Sequence, residues 1–193
     1  MIDAFWRALE TYGIDEVTVS MITSNADCNR GSFYYHFNSL QELARAAFNR
    51  DCVNRDDVAR ATLALVSGKH VEATHAIFDA ERVRKMGLIG ERGGAPIAGS
   101  ETCAALNSVW LAIACAAGEP YTAGARSAID FINYGTARFV NTASQISPEE
   151  SNIDESAVFL HDLAVFALQE IERFQHISEG EAITRLKRLV KSS

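Results

Sequence analysis

Proline is the residue a helix interior tolerates least, and this chain of 193 residues has only three, at Pro96, Pro120 and Pro148. Long stretches are therefore open to helix. Apolar residues within them recur at three- and four-residue intervals, and no segment sustains the two-residue alternation of a half-buried strand. An all-α fold is expected. The composition, 48% apolar and 22% charged, is that of an ordinary globular protein, and the length lies between one domain and two. The longest apolar run, residues 109–117, is well short of the ~20 residues that span a bilayer. With no leader-like start, a cytoplasmic protein without a membrane partner is expected.

Four short helices are expected in the first fifty residues. Ile2, Phe5, Trp6 and Leu9 share one face, and Gly13 ends that segment as a C′ residue. Thr18 caps a second helix carrying Val19, Ile22 and Ala26. Asp27-Cys28 forms a tight turn, and Asn29 caps a third helix reaching His36 or Phe37. Ser39 and Glu42 form a capping box that opens a fourth, running to about residue 56. Helices this short need a shared core, for which Phe5, Leu9, Val19, Ile22, Cys28, Phe33, Phe37 and Leu43 are the candidates.

Further on, helix is expected over 55–85 with a break at Ser67-Gly68, then a glycine-rich loop over 87–100. Helices follow at 101–117, 122–144 and 152–175. Ser178 and Glu181 form a second capping box for a last one.

Residues 18–37, TVSMITSNADCNRGSFYYHF, carry the functional signal. Two short helices joined by a turn present the second for insertion into a DNA major groove. Phe33 and Phe37 lie four apart and face the core, which leaves polar tips on Ser32, Tyr34, Tyr35 and His36 outside. The run from Asn29 to Phe37, NRGSFYYHF, resembles the recognition-helix signature of TetR/AcrR-family transcriptional regulators, which often reads SRGTFYxHF. Gly13, Thr18-Val19, Ser39 and Glu42-Leu43 match that family's flanking pieces, so the resemblance covers roughly residues 2–50. It implies a three-helix helix-turn-helix DNA-binding domain over 1–48 and a helical ligand-binding and dimerisation domain over 49–193.

By position, the resemblance implies that Arg30 and Tyr34 contact bases or phosphates. Gly31 and Ser32 pack against the DNA backbone or a thymine methyl, and Tyr35 and His36 reach phosphates. Thr18 and Ser20 do so from the start of the second helix, and Asn29 joins this set of DNA-binding residues. Two family features differ: Leu40 stands where a lysine is common, and Asp27 where the turn usually has glycine. Residues 1–50 hold four arginines, no lysine and six carboxylates, a balance of two negative charges within a chain of net charge −7. Weak non-specific affinity and a shallow salt dependence are expected.

The family further implies a ligand-responsive regulator, more often a repressor, that acts as a homodimer on a palindromic double-stranded DNA operator and answers a small-molecule effector. The helices at 122–144 and 152–175 are the expected dimer element, because Ala125, Ala128 and Gly135 permit close approach. The apolar stripe of the second is also wider than one interface needs, owing to Val158, Leu163 and Phe166. Burial of both faces within one subunit is the alternative. Phe78, Met86, Cys103, Trp110 and Phe131 are candidates for the effector pocket or for plain core packing. A helical module of this fold that binds a small molecule or protein without operator binding is the alternative function.

No enzyme, catalytic residue, cofactor or metal is expected. The stretch from Gly94 to Ser100 has the glycine spacing of a phosphate loop but lacks its lysine, and His70 and His75 lie on different helix faces. The four cysteines show no metal-ligand spacing and read as small buried hydrophobes, with redox sensing as the alternative.

Overall fold

Side-chain caps begin most of the helices in the computed structural model, which describes residues 1–69, 72–73, 79–116, 118–143 and 153–191. Helix α1 (Ile2–Leu9) is followed by α2 (Val19–Asn25), α3 (Arg30–His36), α4 (Leu40–Asp51) and α5 (Arg55–Val66). Next come α6 (Ala80–Ile89), a π-turn (Gly90–Gly94), α7 (Ala95–Ala114), α8 (Ala123–Ala143), α9 (Ile153–Gln175) and α10 (Glu179–Lys191). Thr18, Asn29, Ser39 and Ser178 each accept a backbone N–H three residues on, as expected. No strand occurs among the described residues, and the fold is all-α.

Three expectations are corrected. Helix α1 ends at Leu9, four residues before Gly13, whose N–H donates to Glu16 Oε2 at 2.7 Å. Helix α4 stops at Asp51, because Asn54 caps a new helix through the Asp57 N–H. The glycine-rich segment over 87–100 is not a loop. Its first residues finish α6, Pro96 sits in the first turn of α7 where no N–H is needed, and only the π-turn bends the path. Two glycines make that bend possible. Gly93 adopts φ +86°, and a Cβ on Gly94 would lie 2.4 Å from the Ile89 side chain. The span from Ala80 to Ala114 is apolar and long enough to cross a bilayer. It is instead bent at Gly90–Gly94, and α7 is packed against α4, α5, α8 and α10.

Helices α1–α4 share a core in which Phe5, Leu9, Ile22, Phe33, Leu43 and Phe48 are fully buried, while Val19 and Phe37 pack at its edge. Helix α7 runs along α8, and α8 along α9, with α5 and α10 closing the other side. Arg185 of α10 ties this bundle together. Its guanidinium donates to the Ile113 carbonyl at 2.9 Å, to Glu119 at 2.6 Å and to Glu181 at 2.8 Å, and so satisfies the C-terminal end of α7.

The junction between the first four helices and the bundle is polar. Trp6 Nε1 and Lys85 Nζ both donate to Asp51 Oδ2, at 2.7 and 2.8 Å, and Arg50 bridges Asp51 and Asp3. Burial pushes the Asp51 carboxyl up, but the hydrogen bonds from Arg50 and Lys85 outweigh it and hold the group at about 2. The π-turn makes a second bridge. The Ile14 N–H donates to the Arg92 carbonyl at 2.8 Å, and Arg92 Nη2 donates to the Glu10 carbonyl at 2.9 Å.

Candidate nucleic-acid interface

Helices α2 and α3 are seven residues each, too short to persist without support. Phe33 supplies it. The ring is completely buried against the α1–α4 core, with the Phe37 ring 6.0 Å away and the Tyr34 ring edge-on at 5.3 Å. This fixes the rotation of α3 and turns its other side chains outward. Tyr34 is 57% exposed and Tyr35 85% exposed, and Arg30, Gly31 and His36 are exposed beside them. Ser32 is partly exposed.

The turn is set by Asp27 at φ +48°, the left-handed backbone for which glycine is the usual choice. The Cys28 N–H closes it on the Thr23 carbonyl at 3.0 Å. Arg30 reaches back across the turn to Ser20 Oγ at 3.3 Å, so the two polar residues of α2 and α3 lie together. Asn29 caps α3 through the Ser32 N–H at 2.8 Å, and a side chain on Gly31 would press on that cap at 3.1 Å. Thr18, Ser20, Asn29, Arg30, Gly31, Tyr34, Tyr35 and His36 are exposed at the starts of α2 and α3 and along α3, with Ser32 partly so.

The other cations of this unit are engaged elsewhere. Arg45 faces Glu101, Arg50 faces Asp3 and Asp51, and Arg7 caps the Asn25 carbonyl at the end of α2. Arg30 is left as the guanidinium on the outer face. Glu42, instead of closing a box on Ser39, accepts from the Asn38 backbone and side chain. Leu40 is partly buried against the core and lines the gap to Gly93, Pro96 and Ile97.

Residues 1–47 match the family model described as bacterial regulatory proteins, tetR family. This chain carries the TetR-family regulatory domain. No curated protein and no solved structure matches the chain significantly. The match supports a DNA-binding regulator of the TetR type, and the α2–α3 unit is rigid behind, polar and cationic in front.

Beyond the TetR-type domain, two of the cavities involve residues expected at a pocket. An apolar chamber of about 70 Å³ between α5, α7, α8 and α9 is lined by Leu65, Trp110, Ile132, Val140 and Leu160. A more open cleft of about 470 Å³ lies between the π-turn, α7 and α8, against Met86, Cys103, Tyr134 and Arg138. Of the residues expected at a pocket, Trp110 lines the chamber and Met86 and Cys103 the cleft. Phe131 does not belong with them. It is 79% exposed on α8 and lines neither cavity, because residue 131 falls on the helix face opposite the buried Ile129 and Ile132. Phe78, His70 and His75 lie outside the described residues.

Burial pushes Cys52 up to about 12, and burial also raises Cys103 and Cys115. No group of His, Cys, Asp or Glu among the described residues has the arrangement of a metal site.

Proposed function

We propose that the protein is a homodimeric, ligand-responsive transcriptional repressor of the cytoplasm that reads a palindromic operator through α3. The observation that carries the reading is the outward set of Arg30, Tyr34, Tyr35 and His36 on a helix whose rotation is fixed by the buried Phe33. Dimerisation is supported by apolar side chains that a monomer leaves in water: Phe131 on α8, and Val158, Phe159 and Phe166 on α9. Two-fold pairing through α8 and α9 gives each operator half-site one α3. Ligand response is supported by the cavities and by the two polar bridges between the bundle and the reading head. A ligand that alters either bridge changes how α3 is held, and a coupling of about 1–3 kcal/mol alters operator occupancy severalfold or more.

The test is a mobility shift with the DNA that flanks the protein's own gene. The wild-type chain retards it, and Arg30→Ala and Tyr34→Ala each abolish the shift while size-exclusion elution stays that of a dimer. An unchanged shift in both variants refutes the reading face. A dimer that retards no DNA favours the alternative, a helical binding module of the same fold.

A further inference from the structure

The cleft beside the π-turn differs from the apolar chamber in size and in chemistry. At about 470 Å³ it has the volume of an ordinary small-molecule site, whereas the chamber of about 70 Å³ does not. Tyr134 and Arg138 stand one turn apart at the rim, and Arg138 has no carboxylate partner among the described residues. Ala137 and Asn141 line the wall on the neighbouring face.

We propose that this cleft binds a small aromatic acid, and that its occupancy stiffens the hold of the π-turn on the α1–α4 unit. The carboxylate pairs with Arg138, and the ring lies between Tyr134 and Met86. Cys103 remains a neutral thiol there, since burial and the charge of Asp130 raise it. Transmission needs no long path. Gly90, Ala95 and Pro96 line the cleft, and between them Arg92 bonds both Ile14 and Glu10 of the TetR-type domain. Filling the cleft braces both flanks of that turn, so the Ile14–Arg92 hydrogen bond opens less often.

The inference deepens the ligand response of the proposed function and rests on it for its biological consequence alone; the site itself is tested without DNA. The full-length chain is titrated with 4-hydroxybenzoate, and hydrogen exchange of the Ile14 amide is followed by NMR. Saturable binding is expected, with the Ile14 amide exchanging severalfold more slowly in the complex. The neutral 4-hydroxybenzamide binds about tenfold more weakly or worse, as does the acid to Arg138→Gln, because each removes one charge of the pair. Arg138 is exposed, so its replacement leaves the fold intact. The proposal is overturned by absence of saturable binding at millimolar acid, by equal affinity for acid and amide, or by an Ile14 amide that ignores the ligand. Acid binding that slows Ile14 without changing operator affinity supports the site and counts against ligand-responsive repression.

Discussion

Phe33 does for the reading helix what no residue on its outer face can do: it converts a seven-residue segment into a rigid support. Phe33→Ala should cost about 3–4 kcal/mol, the usual loss for a fully buried phenylalanine, and DNA binding should disappear with it. Chemical denaturation followed by circular dichroism measures the first effect. Asp27 makes a different prediction. Its left-handed backbone suits glycine, but glycine also gains freedom in the unfolded chain, so Asp27→Gly should leave stability within about 0.5 kcal/mol. The lost carboxylate should tighten operator binding in a fluorescence-anisotropy titration; weaker binding would mean that Asp27 orders the turn in a way glycine does not. Arg185 is the converse case, a buried cation shared by Glu119, Glu181 and the Ile113 carbonyl. Arg185→Ala should cost about 2–3 kcal/mol, since it leaves carbonyls and carboxylates without their donor.

Among the elements, the polar junction of α1, α4 and α6 has a pH signature. Asp51 is held at about 2 in the folded protein, below its ordinary value in the unfolded chain. Its contribution is therefore fully present above about pH 5, and it fades as pH falls through 4 toward 2. The urea midpoint of Asp51→Asn should lie below wild type at pH 7 and converge on it near pH 2; a constant gap would place the effect elsewhere. The same elements mark how far the sequence could be read. Caps at Thr18, Asn29, Ser39 and Ser178 are local rules about one N–H three residues on, and they were legible. So was the rotation of α3, because Phe33 and Phe37 leave only one side for the core. The π-turn was not, since glycine in a run signals a loop by composition. Here the close packing of Gly94 on Ile89, and the bonds from Arg92 to Glu10 and Ile14, carry the helical path through the run. Those partners are some eighty residues away in sequence, and the Trp6–Asp51–Lys85 cluster escapes a sequence reading for the same reason. Phe131 lies away from the expected pocket because an aromatic residue in a helix signals an apolar surface without saying what covers it.

At the scale of the whole molecule, a net charge of −7 must be reconciled with DNA as a partner. The reading head resolves this by scarcity: Arg45 and Arg50 face carboxylates, Arg7 serves a helix end, and Arg30 is left at the front. Few phosphates can be neutralised, so log K against log salt should have a slope shallower than about −6. A steeper slope would require cations that the face does not present. Size follows from the exposed apolar face of α8 and α9. Phe131→Glu combined with Phe166→Glu should convert the dimer to a folded monomer in sedimentation velocity. A dimer that persists would move the interface to another surface. The proposed function requires a single arrangement, two α3 helices held about one DNA turn apart by a two-fold axis. Hydroxyl-radical footprinting of the protein on the DNA upstream of its gene tests it most directly. The account predicts two protected patches related by inverted symmetry on one side of the duplex, their centres about 10 base pairs apart or a multiple of that, and both lost in Arg30→Ala. A single patch, diffuse protection along the fragment, or a pattern that Arg30→Ala leaves intact would contradict it.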